Sequence, residues 1–274
     1  MRAALALAVT MLAVATLACA DVTITSTTSS KAPGTSVEGE VVTSIKGTRM
    51  RTDVTMRGRT RTTIIDLAAR TLVSLNHEAK QAQRYDMGAY ASELARVGDA
   101  DVEVSLEPTG EARTLLGQAC EGYRIRVSSV AFSSGRGGLE KTRMLMSGSA
   151  WIAGGSPGRA DYAGFYGAVA RAGLFFTDPR TVKAQPGQSK GLVALYRTVA
   201  EKGVPYSLDL RVTHERVPAQ GDAVLQGQPL PEGPPSQPLV GASTTSTVTK
   251  ISTDPIAASL FEVPEGYALI AVGR

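Results

Sequence analysis

The sequence predicts a mainly β chain carrying a few helices, built on an antiparallel sheet. Apolar and β-branched residues fall on alternate positions in run after run, as in Val37, Val41, Thr43 and Ile45, and again in Met50, Thr52, Val54 and Met56. Period-two patterning of this kind marks strands with one wet and one dry face. The connections are short, Lys46-Gly47 and Arg57-Gly58-Arg59 among them, too short for the crossover helices that parallel neighbours need. Two later segments read as helices, the second by a change to three- and four-residue spacing.

In order along the chain, strands run as a meander from Val22 to Met87 and include Thr62–Leu67, Thr71–Leu75 and Gln81–Met87. A short helix is expected over Ala89–Val97. Strands resume at Val102–Leu106, Tyr123–Val130 and Thr142–Ile152. Asp161–Phe176 and Gly187–Lys202 read as helices, the second with Leu192, Leu195, Tyr196 and Val199 on one stripe. Alternation returns at Tyr206–Val212 and Ser243–Ile251, and the chain closes on Phe261-Glu262-Val263-Pro264 and Tyr267–Val272. Between Pro218 and Gly241 lie six prolines and four glycines in 24 residues. That stretch is read as a disordered, exposed loop. The 33 residues after it are too few for a core of their own, so residues 21–274 are read as one domain.

Residues 1–20 have the layout of a secretory signal peptide: Arg2, an uncharged apolar stretch, and Ala18-Cys19-Ala20 before Asp21. Export to the periplasm or beyond is the expectation, and it disfavours cytosolic, nucleotide-driven and nucleic-acid functions. Cleavage after Ala20 is favoured. The weaker alternative is lipidation of Cys19, which would make an outer-membrane lipoprotein, but Thr16 and Leu17 depart from the triplet that usually precedes a lipidated cysteine. With Cys19 removed, Cys120 has no intramolecular partner and reads as a small buried apolar side chain. The net charge is +4, or +3 without Arg2, and aromatic residues make up only 5%, so aliphatic side chains must build most of the core.

No motif assigns a reaction, and the expectation is a protein that is not an enzyme. Gly154-Gly155-Ser156-Pro157-Gly158 matches the G-x-S-x-G pattern of a hydrolase elbow. Pro157 stands where the elbow needs an N–H for its oxyanion hole, so a turn is the better reading. His77 and His214 are the only histidines, too few and too scattered for a zinc site, and no triad partner stands near either. Glu38/Glu40 and Glu103/Glu107 have the spacing of any wet strand face. The glycines of Ser134-Gly135-Arg136-Gly137-Gly138 have no P-loop lysine behind them. Catalytic, metal and cofactor assignments are therefore none, and no side chain is assigned to a ligand.

One cluster is basic. Lys46, Arg49, Arg51, Arg57, Arg59, Arg61 and Arg70 stand against Asp53 and Asp66. On adjacent antiparallel strands they are expected to gather on one face, either as a contact for anionic headgroups or an acidic partner, or as an ordinary solvated face. No stacking aromatics are interleaved with them, which argues against nucleic acid.

The segments DVTITSTT, KGTRMRTDV, TIIDLAARTLVSLNHEAKQAQRYDM and SLFEVPEGYALI resemble a domain of unknown function in the Lol-type superfamily, which includes the periplasmic lipoprotein carriers LolA and LolB. The resemblance implies a strongly curved, unclosed antiparallel sheet (a half-barrel) covered by two or three helices, with a hydrophobic cavity between. It also implies a lipid, an acyl chain or another hydrophobic ligand as the partner. The alternative is an envelope interaction protein that uses the basic face and the Pro-rich loop to contact another protein. Any membrane contact is peripheral or through an anchor at Cys19.

Overall fold

The computed structural model describes residues 21–271, apart from 33, 96–100, 136–137, 174–178, 180–181, 183–185 and 217–238. Twelve strands form one sheet: β1 (Val22–Ala32), β2 (Thr35–Lys46), β3 (Arg49–Met56), β4 (Arg59–Asp66), β5 (Thr71–Asn76), β6 (Gln81–Asp86), β7 (Val102–Leu115), β8 (Gln118–Gly135), β9 (Gly138–Ala153), β10 (Val204–Arg216), β11 (Leu239–Ser252) and β12 (Ala268–Ala271). Their spatial order is β12-β6-β5-β4-β3-β2-β1-β11-β10-β9-β8-β7, so the sheet is unclosed, with β12 and β7 at its edges. Every pairing is antiparallel except β12 on β6. Among the described residues α1 (Ala91–Ala95), α2 (Arg159–Ala172) and α3 (Pro186–Lys202) accompany it. Among the described residues no helix is long and apolar enough to cross a membrane.

Turn chemistry sets the hairpins. Arg57-Gly58 and Leu116-Gly117 close two-residue turns with φ of 50° and 72°, and of 48° and 75°. Both central residues are left-handed, the geometry that matches the twist of the flanking strands. The β4–β5 and β5–β6 loops share another device. Asp66 Oδ1 accepts Ala69 N at 2.9 Å, and Asn76 Oδ1 accepts Glu78 N and Ala79 N at 3.2 Å each. Each loop then ends on a left-handed basic residue, Arg70 at φ 53° or Lys80 at φ 47°.

Register divides the sheet into two faces. Ile45, Met50, Ile65 and Leu72 stand opposite one another in turn and share one face. They join a core with Val22 and with Tyr162, Phe165, Tyr166 and Val169 of α2. Further along the same face α3 seats Leu195 and Val199 on Tyr123, Ile125, Val127, Met144 and Met146. Its predicted stripe is therefore the buried one. Gly187 lets the first turn of α3 touch β8, because a Cβ there would collide with the Val130 carbonyl.

The other face has a cover that no local pattern announces. Ile64, Leu75 and Ala82 pack beneath Ile256 and Phe261 of the segment after β11. Asp21 pins that segment at its start: its Oδ2 takes Lys46 Nζ at 2.7 Å and the backbone N–H of Ile256.

Several boundaries differ from expectation. The helix expected over Ala89–Val97 is a 3-10 turn (Met87–Tyr90) followed by α1, and residues 96 and 97 lie outside the described part. α2 begins at Arg159, and residues 174–176 of its expected span also lie outside. Within the loop expected over 218–241, residues 218–238 are outside the described part, whereas 239–241 are strand. Leu239 and Val240 pair with His214 and Thr213, and a Cβ at Gly241 would meet the Val212 carbonyl. A glycine is what this bulge between β10 and β11 needs. Strands β7, β8 and β9 overrun their expected spans because their outer ends pair with one another.

Candidate binding clefts

Along β3, β4 and β5 the helix-side residues change from apolar to polar. Met50, Ile65 and Leu72 are buried at the end beneath the helices. Thr52, Thr63 and Ser74 are half-buried in the middle, and in the next row Arg61 and Asn76 are exposed beside a half-buried Val54. Over this second half lies an open cleft of about 800 Å³. Its floor carries Val54, Met56 and Tyr85 beside Thr63, Ser74, Gln81 and Gln83, and Pro179 contributes to its wall. Arg59 at the rim pairs with Glu78 at 3.1 Å, both side chains well exposed. The floor thus offers both apolar contact and uncharged hydrogen-bonding groups, with Arg61 beside Val54.

The sequence signal for this cleft is slight. Polar residues occupy the positions where the alternation of β4, β5 and β6 would otherwise put a dry face: Arg61 and Thr63, Ser74 and Asn76, Gln81 and Gln83. Such runs also describe any solvated strand, so of these residues the sequence marks only Arg61, and that as part of the basic cluster.

The basic cluster does not gather on one face. Lys46, Arg49 and Arg51 lie on the face away from the helices, where each holds the C-terminal segment. Lys46 donates to Asp21 and to the Ile256 carbonyl at 2.9 Å. Arg49 lies 5.1 Å from the centre of the Phe261 ring. Arg51 forks onto Asp53 at 2.8 and 2.9 Å and reaches the Leu260 carbonyl at 3.0 Å. Arg59 and Arg61 stand on the helix side, Arg57 is in the β3–β4 turn, and Arg70 is at the opposite end of β4. The separation follows from register: Arg51 stands opposite Ile64, which puts Arg59 and Arg61, at odd positions of β4, on the other face.

His77 enters a network that includes an aspartate and a threonine. Thr62 Oγ1 donates to Asp53 Oδ1, His77 Nε2 lies 2.7 Å from Thr62 Oγ1, and Tyr267 Oη lies 2.6 Å from His77 Nδ1. A carboxylate only accepts, so the protons run one way: Tyr267 O–H to Nδ1, Nε2–H to Thr62, Thr62 O–H to Asp53. In this arrangement His77 is a donor toward Thr62 and takes no proton from it. Thr62 is also fully buried. The network ties Tyr267 to the sheet and has the character of a structural bond.

The remaining candidates resolve plainly. Gly154 to Gly158 form the turn into α2; Ser156 is buried and bonds the Pro157 carbonyl and Tyr206 Oη, each at 3.0 Å. Cys120 is a buried free thiol in β8, and burial raises its pKa. His214 is half-buried in β10, and Glu38, Glu40, Glu103 and Glu107 are exposed. Arg136 and Gly137 lie outside the described residues, as does Cys19. Among the described residues no three His, Cys, Asp or Glu side chains cluster as metal ligands would.

With this geometry in view, comparison with known proteins yields one family. Residues 23–134 match the model of a domain of unknown function, DUF4412. The match runs from β1 into β8 and takes in the floor of the 800 Å³ cleft, but neither α2 nor α3. No curated protein matches. Among solved structures, PNGF-II aligns over 92% of this chain and 31% of its own, with a TM-score of 0.34 and 7% identity. The chain therefore spans about a third of that protein's length. A DUF1329 family protein from Desulfovibrio piger aligns over 89% of this chain and 90% of its own, with a TM-score of 0.31 and 10% identity.

Proposed function

We propose that the protein is an exported binding module that holds an amphiphilic, largely apolar ligand against the helix side of β3–β6. One observation carries this reading: the cleft of about 800 Å³, whose lining sets Val54, Met56 and Tyr85 beside Thr63, Ser74 and Gln83. Sites for small molecules are concave, of roughly 300–1,000 Å³, and mix apolar walls with a few orienting polar groups. Uncharged hydroxyl and amide groups on the floor favour a ligand with a neutral, hydroxyl-bearing head. The resemblance to Lol-type carriers supports the same reading, as does the signal-like segment at residues 1–20. No reaction is assigned to the chain. The alternative, contact with an envelope partner through the basic face, loses support because Lys46, Arg49 and Arg51 are already engaged with the chain's own C-terminal segment.

Calorimetric titration with monolaurin tests the proposal. The wild-type chain is expected to bind it, and Ser74→Trp, which plants an indole on the cleft floor, is expected to weaken binding about tenfold or more. Equal affinity in the variant, or no binding by the wild type, would overturn the assignment.

A further inference from the structure

The polar groups that line the 800 Å³ cleft are not interchangeable, because some of their atoms are already bonded within the fold. Asn76 Oδ1 accepts Glu78 N and Ala79 N, each at 3.2 Å. Only the carbonyl oxygen of an amide can accept from two N–H groups, so the side chain's orientation is fixed and its NH2 is left over. Gln83 repeats the pattern with a side-chain partner: Tyr85 Oη donates to Gln83 Oε1 at 2.7 Å. Its NH2 is left over in the same way. Neither amide nitrogen bonds another group among the described residues.

Register brings the two donors together. Ser74 of β5 stands opposite Gln83 of β6, and Asn76 lies two residues further along β5, on the same face. Asn76 and Gln83 are therefore diagonal neighbours across an antiparallel pair, about 7–8 Å apart, a short span for long side chains. One acceptor atom between them can take an N–H from each, because a carbonyl oxygen has two lone pairs. The Ser74 hydroxyl stands at the third corner.

Apolar contact begins two strands away. Val54 of β3 lies in the same row as Asn76, with Arg61 of β4 between them, and Met56 follows it along β3. Charge on the lining has both signs, since Arg59 and Glu78 face the same cleft and pair at 3.1 Å. A neutral acceptor attached to an apolar chain fits these groups.

We infer that Asn76 and Gln83 make this cleft specific for acyl esters, their NH2 groups holding the ester carbonyl; this rests on the amphiphile reading of the cleft and adds the atom that is recognised. A carbonyl oxygen accepts and never donates, which complements two amide N–H groups. The acyl chain starts at the carbonyl carbon and runs toward Val54 and Met56.

Isosteric substitutions separate recognition from folding. Asn76→Asp keeps the oxygen that accepts from the β5–β6 loop, and Gln83→Glu keeps the oxygen that Tyr85 bonds. Each exchanges only the NH2 for a second acceptor. The double variant is expected to melt within a few degrees of the wild type by circular dichroism. In calorimetry the wild-type chain is expected to bind monolaurin about fivefold or more tightly than dodecyl glyceryl ether, which has the same chain length and head but no carbonyl. The double variant is expected to bind the two alike, through weaker binding of the ester. Laurate, with a charged carboxylate in place of the ester, should bind less tightly than monolaurin. Equal affinity of the wild type for ester and ether overturns the inference and leaves the amphiphile site standing. A preference for the ester that survives in the double variant overturns the assignment to Asn76 and Gln83. Tighter binding of laurate than of monolaurin overturns it too, since the recognised acceptor is then a charge. If the wild type binds none of the three, the site and this inference fall together.

Discussion

At the scale of single residues, three tyrosines between the long helices link the core to pH. Tyr162 packs on Tyr166 with ring centres 4.7 Å apart, and Tyr166 stacks on Tyr196 at 5.1 Å. Burial raises the pKa of all three hydroxyls, and neighbouring phenols raise those of Tyr162 and Tyr166 further. Each phenol stays protonated in the fold at pH values where the unfolded chain ionises. Their contribution to stability is therefore complete below about pH 10, the ordinary tyrosine value. It falls as pH rises above that, because the unfolded state then releases protons the folded state keeps. The phenolate absorbance of these three is expected to appear together with loss of the circular dichroism signal, in one alkaline transition. Earlier ionisation at constant ellipticity would show that they are accessible. The residue scale is also where the sequence is least legible. Asp53, Thr62, His77 and Tyr267 are scattered along the chain, and only the pairing of β3 with β4, together with the return of the C-terminal segment, aligns them.

Legibility improves with elements, because their signals are local. Strands β2 to β6 announce themselves through alternation, and α3 matches its expected span to within one residue, since its apolar stripe is the one that buries. What stays hidden is any element stabilised by pairing alone. β12 is four residues long and has no dry face, with Leu269 and Ile270 exposed; it is a strand because β6 offers it a parallel edge. The tight turns make a sharper prediction. Leu116 occupies a left-handed turn position while 55% exposed, a place suited to asparagine before glycine. Leu116→Asn is expected to stabilise the fold by about 1 kcal/mol, by relieving the backbone at no cost in packing. Urea denaturation would show this as a raised midpoint with an unchanged slope.

For the whole molecule, the decisive feature is where the last long strand goes. β11 lies between β1 and β10 in the middle of the sheet, pairing with both along most of its length. A chain ending at Arg216 would keep β1–β6 and β7–β10 as two separate ribbons, and it would lose the segment that covers Ile64 and Leu75. Size-exclusion chromatography of such a truncation is expected to find aggregate and no monomer; a monomer with cooperative unfolding would refute this. A chain grows from its N-terminus, so the central strand is made only after β1 to β10. Until it arrives, β1 and β10 are open edges of 11 and 13 residues, the kind of surface on which other chains add. Synthesis therefore passes through a stage in which nearly everything needed for the sheet exists and its keystone does not. A chaperone that masks those two edges during that interval would protect the yield of folded protein more than any single contact in the finished one.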